Sequence, residues 1–409
     1  MRRILVLSPC DAFPPVHGSS TAIYHTLQVL PETSRVFALL CRLYSQHGDV
    51  DLHSPNLAVR YCPATPLDRL GYKGLFFNPA YYRAARQAAR EFRPDVIQAE
   101  LLWTAPAALW LRRRTGIPVV LMQENVEYDK FVRFGMNSPF LKVVKWVEGW
   151  ACRAADRVVA LSDVDRDIMI RLYGVPPQRF TLIPHGVDPE LFDYRPDGAA
   201  LARHKLGLPP DVPLLTFVGK LDYLPNVRAV EHIAERIAPA VRARCPDARF
   251  AIIGQGGEAL PQAGATGLIF TGFVDARPVT HPNLSDYLSA SDVVLVPLDS
   301  GSGTRLKILE AAANARPVVS TRIGAEGQSF VDGQDILLTD AVDGTFVDAT
   351  LRLLDDASLR ERLGRAARER VLAEYSWQAQ VAKMERVHRE LCASGDRRDV
   401  EIEGTRRHL

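Results

Sequence analysis

Arg305, Lys307 and Glu310 fall close together in GSGTRLKILEAAANARPVVST, residues 301–321, directly behind a glycine-serine loop. Glycines let backbone amides approach an anion closely, and a helix starting behind them aims its unpaired N–H groups and positive dipole end at it. Ser302, Gly303, Thr304 and Leu306, in the loop and at the helix start, are therefore candidate phosphate contacts. Arg305 is expected in the first helical turn, where the macrodipole disfavours a cation, so an anion should compensate it. Glu310 precedes the small residues AAANA, which permit close packing, and a carboxylate at that depth can accept two hydrogen bonds from a vicinal diol such as ribose. Loop amides with Arg305 for a diphosphate, and Glu310 for the sugar of a nucleotide, make one coherent chemistry. Lys307 shares a helix face with Glu310 at i,i+3, which a surface ion pair worth roughly a few tenths of a kcal/mol would equally produce.

A further cation, Lys220, follows Gly219 in FVGKLDYLPNV, at the end of a strand-like run from which it can reach the same crevice. Gly254, Gly256 and Gly257 in IIGQGG follow another such run. They lack the full dinucleotide spacing, which argues against an NAD- or FAD-dependent oxidoreductase.

These side chains need a scaffold that delivers them to one edge, and the apolar pattern supplies it. RILVLSP, RVFALLC, DVIQAE, PVVLMQE and RVVALS read as short buried strands, with helix-length segments between several of them. After a proline-, aspartate- and glycine-rich stretch the rhythm restarts with LLTFVGK, RFAIIGQGG, LIFTGFV, DVVLVPL and PVVST. Apolar strands alternating with helices predict parallel sheets covered on both faces, an α/β architecture of two Rossmann-like domains. The boundaries read as 1–187, a linker at 188–212, 213–375, a C-terminal helix at 376–393 and a polar tail at 394–409, solvated and partly disordered.

The totals are those of an ordinary globular chain: 409 residues, 47% hydrophobic, 24% charged, with a formal net charge of +2. That balance gives no global field for nucleic acid. Six scattered cysteines without a Cys-x-x-Cys pair argue against a zinc site or a disulfide framework. The apolar run after the N-terminal arginines stops at Ser8-Pro9, short of a signal-peptide core, and no stretch reaches spanning length. A cytoplasmic location is expected. SPFLKVVKWVEGWACRAA mixes Trp146, Trp150 and Val143 with Lys142, Lys145 and Arg153; it reads as a core-facing helix, with peripheral contact at the inner face of a membrane left open.

Taken in order, PPVHGSS, LIPHGVDPELF, FVGKLDYLPNV, IIGQGG, FTGFVDA, SDVVLVPLDSGSGTRLKILEAAANARPVVST and YSWQAQ resemble the retaining glycosyltransferases of the glycosyl transferases group 1 family, over nearly the whole chain. The resemblance implies the GT-B fold, two facing Rossmann-like domains, with the donor mainly in the C-terminal one and the final helix crossing back to the first. It implies transfer from a nucleotide-diphosphate sugar, a UDP- or GDP-sugar, to a glycan, lipid-linked or small-molecule acceptor, without metal or other cofactor. Cationic groups would stabilise the departing diphosphate. Carried over by position, Glu310 matches the second glutamate of the family's Glu-x7-Glu motif, usually bound to the ribose, and Gly18 and Ser19 match the N-terminal glycine loop that faces the diphosphate and acceptor, which makes them donor-binding candidates with Gly219. Lys220 matches the basic residue after the strand glycine, and Val274 lies where the base is framed.

The sequence departs from the family's pattern at several positions. Ser302 stands where the first motif glutamate is expected, and Asn226 where a second cation commonly follows the first. Glu124 occupies the place of an acceptor-side histidine, where it would either orient or deprotonate a hydroxyl or stand as an exposed strand-end carboxylate without chemistry; Asn125 and Glu127 share its loop, and His17 is a further acceptor-side candidate. Lys220, Arg305 and Glu124 are thus the expected catalytic residues. The rival readings are a non-catalytic GT-B binding or accessory subunit and a nucleotide-sugar epimerase.

Overall fold

The computed structural model describes residues 1–15, 18–43, 50–278, 280–301 and 304–406, with Ala263 and residues 394–406 by backbone alone. The chain divides into two units, one formed by Met1–His185 together with Trp377–Leu409 and the other by Gly186–Ser376.

The first unit holds strands β1 (Arg3–Leu7), β2 (Arg35–Leu40), β3 (Leu57–Tyr61), β4 (Val96–Glu100), β5 (Val119–Gln123), β6 (Arg157–Ala160) and β7 (Phe180–Leu182). They form a seven-stranded sheet in the order β3-β2-β1-β4-β5-β6-β7, paired parallel throughout. The period of two is visible in β1. Leu5 and Leu7 enter a core with Ile97 and Leu121, while Ile4 and Val6 enter another with Ile23 and Leu27. A strand so divided must be apolar at every position, and each fully buried aliphatic side chain contributes about 1.5–3 kcal/mol.

The C-terminal helix Trp377–Arg406 belongs to this unit. Val381 joins the Ile4/Val6 core, and Met384, Val387 and Leu391 cover Val96, Val120 and Val159. His388 on the same helix is fully buried, with no hydrogen-bond partner on either ring nitrogen among the described residues. Burial, aided by the charge of Arg2, pushes it down from 6.5 to about 3. A base whose folded value is depressed stabilises the fold only while the unfolded chain also stays neutral, so this contribution is present above 6.5 and lost as pH falls below it. Between about pH 7.5 and about pH 5, wild type should lose about 2 kcal/mol more stability than His388→Leu. Parallel losses in denaturant titrations of the two proteins would refute this.

The second unit holds β8 (Leu214–Val218), β9 (Arg249–Ile253), β10 (Leu268–Gly272), β11 (Val293–Val296), β12 (Val318–Thr321) and β13 (Leu337–Thr339), a six-stranded parallel sheet in the order β10-β9-β8-β11-β12-β13. In both sheets the connections reverse direction beside the first strand, between β1 and β4 and between β8 and β11. The crevice outside the carboxyl ends at such a reversal is where open α/β sheets bind ligands.

Residues 188–212 are not a bare connector. They carry the helix Pro196–Lys205, and Phe192 and Ala202 lie in the second unit's core. The approach to the helix Leu284–Ala290 is close enough that a Cβ on Gly198 would sit 2.1 Å from Asp286 Oδ1. Strands β3, β7 and β13, which the apolar runs did not announce, each lie at an edge of their sheet. Among the described residues, no helix is long and apolar enough to cross a membrane.

Candidate functional site

The loops after β8 and β11 flank the reversal of the second sheet, and they carry Lys220 and Arg305. Arg305 is the cap of the helix Leu306–Ala313, in extended backbone at φ −88°, ψ 91°, and does not occupy its first turn. The guanidinium is buried and donates from Nη2 to the Ile323 carbonyl at 3.2 Å, while the Arg305 carbonyl accepts from Gln328 Nε2 at 3.1 Å. This removes the expected conflict with the helix dipole and ties the loop to the segment after β12. Gly301, at φ 131°, permits the approach, because a Cβ there would be strained and 3.2 Å from Arg305 Nη2. Thr304 presents a buried hydroxyl with no hydrogen-bond partner among the described residues, and Ser302 and Gly303 lie outside them. Leu306 and Val274 are half-buried against the second core.

Lys307 does not form the surface ion pair that its spacing from Glu310 suggests. Its Nζ donates to Asn226 Oδ1 at 2.8 Å and lies 4.2 Å from the centre of the Phe217 ring. Asn226 in turn donates from Nδ2 to the Lys220 carbonyl at 2.9 Å. The Asn226 side chain fills the space beside Gly219, where a Cβ would come within 2.8 Å of it. Gly219, Lys220, Asn226 and Lys307 are therefore one cluster, and the cation absent at position 226 arrives from the facing helix. Burial, reinforced by the Arg305 charge and opposed by Glu310, pushes the Lys307 ammonium down to about 7. Burial likewise pushes the Glu310 carboxyl up to about 7, with Lys307 opposing.

Lys220 is the outlying cation of the cluster, with its side chain 40% exposed and its Nζ 2.9 Å from Asp222. The glycines after β9 serve packing. A Cβ on Gly254 would meet the Gly219 carbonyl oxygen at 1.9 Å, so the two loops close on each other.

In the first unit the helix Gly18–Val29 begins after the β1 loop, and the Ser19 hydroxyl donates to Glu124 Oε2. Gly18 is exposed at the helix start. Glu124 is buried, contrary to the exposed strand end expected from sequence, because His185 and the C-terminal helix cover it. His185 Nε2 lies 3.8 Å from Glu124 Oε1, and its ring is tilted over Trp377, which stacks on His25 at 5.0 Å. Among the described residues, neither His185 ring nitrogen has a hydrogen-bond partner. Between Glu100, Glu124, His185 and Trp377 lies a hollow of about 30 Å³, room for a water. Glu100 is pushed up to about 8 by burial, with the Gln98 amide opposing and the Glu124 charge adding.

The buried Glu124 carboxylate thus holds the Ser19 hydroxyl at the start of the helix Gly18–Val29. Glu127 is committed to Lys130 at 2.6 Å. The loop that carries it is fixed by buried Glu148, which accepts from the Glu127 amide at 2.7 Å, the Tyr128 amide at 3.0 Å and the Tyr173 hydroxyl at 2.5 Å. His17 lies outside the described residues. Sequence reasoning missed Asn226 as the acceptor for Lys307, and it missed His185, whose only signal was its place in LIPHGVD.

Residues 33–191 match the profile of Glycosyltransferase Family 4, and residues 212–356 match that of Glycosyl transferases group 1. The chain is 30% identical over 366 residues to the D-inositol 3-phosphate glycosyltransferase of Thermobispora bispora, covering 83% of this chain and 82% of that one. Among solved structures, a sucrose-phosphate synthase from Thermosynechococcus elongatus superposes with a TM-score of 0.78 at 22% identity, covering 96% of this chain and 100% of that one. HepE from Anabaena, solved in complex with UDP-glucose, superposes at 0.72 with 15% identity, over 95% of this chain and 100% of that one.

Proposed function

The chain belongs to the glycosyl transferases group 1 family and has the GT-B fold, and from that premise we propose a retaining, metal-independent transfer of a sugar from a nucleotide-diphosphate donor to an acceptor hydroxyl. Sugar transfer is the family's chemistry; the donor, the stereochemistry and the roles of single residues are our reading. The second unit takes the donor. Glu310 accepts the ribose diol, the loop at 301–305 with its buried Thr304 hydroxyl receives the diphosphate, and Val274 lies along the base. Lys307, with Lys220 farther out and Arg305 ordering the loop, meets the charge that develops on the leaving diphosphate. The observation that carries this reading is the Lys307 ammonium held at 2.8 Å on Asn226, beside the strand-end glycine of the reversal point.

A UDP-sugar is the first donor to try, because HepE is solved with UDP-glucose. The T. bispora relative is named a D-inositol 3-phosphate glycosyltransferase, and on that name we add small phosphorylated polyols to the glycan and lipid-linked acceptors to be tried. In the first unit, Gly18 and Ser19 serve the acceptor side, with Glu124 orienting Ser19.

The reading is tested with UDP, GDP, ADP and dTDP and their sugars in a thermal-shift screen, since a ligand at a hundred times its Kd stabilises by about 2.7 kcal/mol. One base should shift the melt selectively. Product anomers followed by NMR should retain the donor configuration, and transfer should persist in chelator. Inverted product or loss of transfer in chelator would remove those parts of the proposal. Binding without transfer to any acceptor would favour the non-catalytic reading.

A further inference from the structure

One face of the first unit leaves large apolar side chains in water. Phe77 is 70% exposed, Trp146 68% and Val143 41%. With Pro106 and Trp150 they line a groove of about 800 Å³. A hollow of about 450 Å³ adjoins it across Phe76 and Phe77, walled by Pro79, Tyr82 and Trp110. Contiguous exposed aromatic surface of this kind marks an interaction site, whereas single exposed side chains do not. The helix Phe140–Ala154 is apolar on two sides. Val144, Val147 and Ala151 enter the core, while Val143 and Trp146 turn outward, the latter stacked on Trp150 at 6.4 Å. Core packing therefore explains only one of its faces.

The charged residues that line both hollows are all basic. Arg113 and Lys142 border the groove, and Arg83 and Arg86 border the adjoining hollow. All are exposed, no Asp or Glu lines either hollow, and none of these cations has a carboxylate partner among the described residues. With a net charge of only +2 over the whole chain, this is local segregation of charge. Indole and phenyl rings settle at a headgroup boundary, and cations without counterions are drawn to anionic lipid. A second copy fits less well, because an isologous contact through this face would set the same cations against their own images.

We propose that this face docks the protein on an anionic lipid surface, with Phe77 and Trp146 inserted among the headgroups and Arg83, Arg86, Arg113 and Lys142 on the lipid phosphates. The docking is independent of which acceptor the enzyme uses.

Flotation of the full chain with vesicles of equal parts phosphatidylcholine and phosphatidylglycerol, and with phosphatidylcholine alone, tests it. Wild type should float with the mixed vesicles, remain behind with the neutral ones, and be released by high salt. Phe77→Ser with Trp146→Ser should weaken partition about tenfold or more, and Lys142→Gln or Arg86→Gln about fivefold each. Retention of the nucleotide-induced melting shift in these variants would show them folded, and keeps this test separate from that of the donor site. The proposal is overturned if wild type ignores anionic vesicles or binds neutral ones equally. It is also overturned if the double variant still floats, or if light scattering finds a dimer that Trp146→Ser dissociates.

Discussion

Lys307→Met should lower kcat by about a hundredfold to a thousandfold, the usual consequence of removing one preorganised positive group aimed at developing charge. Lys307 is held by a hydrogen bond and a ring face, not by a carboxylate, so its positive charge remains available to an anionic ligand. Methionine replaces the apolar stem of the lysine and can still pack its sulfur and methyl near Phe217, so the fold should survive with at most a modest change in melting temperature. The same residue sets a pH limit. With burial pushing the ammonium down to about 7, kcat/KM should fall as pH rises above that value. Lys307→Arg, which stays protonated, should flatten this alkaline limb even if its overall rate is lower. Combining Lys307→Met with Asn226→Lys returns a cation from the opposite side and should recover part of the loss. Unchanged turnover in a folded Lys307→Met protein would sink the assignment.

Glu310→Ala should weaken donor and free nucleotide diphosphate alike, by at least about a hundredfold, because two hydrogen bonds to a charged carboxylate are worth roughly 1.5–3 kcal/mol each. Calorimetry with the diphosphate that shifts the melt is the direct measurement. The carboxylate form is the one that accepts from both hydroxyls, so affinity should also fall as pH drops below about 7, the acid limb of the same profile. Removing Glu310 also takes away the charge that raises the Lys307 value, so the alkaline limb of the variant should move to lower pH. Stability should hold or rise, since a desolvated carboxyl has been removed. Nucleotide affinity equal to wild type would place the ribose elsewhere.

The apolar runs disclosed the central strands because a strand in a covered parallel sheet is apolar at every position. Leu57–Tyr61 escaped because it is only partly buried at the sheet edge and carries Arg60. Residues 188–212 misled for the opposite reason. Their proline and aspartate content outweighed Phe192 and Ala202, and two anchors suffice to dock a short helix. Spacing along a helix identifies neighbours on the same face, so it paired Lys307 with Glu310. The preferred partner, Asn226, comes from the other side of the reversal point and leaves no local trace. Glu124 looked exposed because strand ends usually are. Its cover comes from His185 and Trp377, the latter more than half the chain away.

The second unit is threaded into the first between His185 and Trp377, and this separates in time the two halves of one core. During synthesis, Val96, Val120 and Val159 emerge early, and the whole second unit is translated before Met384, Val387 and Leu391 arrive to cover them. The inserted unit is continuous in sequence and can fold as soon as it leaves the ribosome. The first must wait with an apolar strip uncovered, a natural binding surface for a chaperone. The terminal helix therefore works as a completeness check: only a polypeptide translated through Leu391 can close its first core.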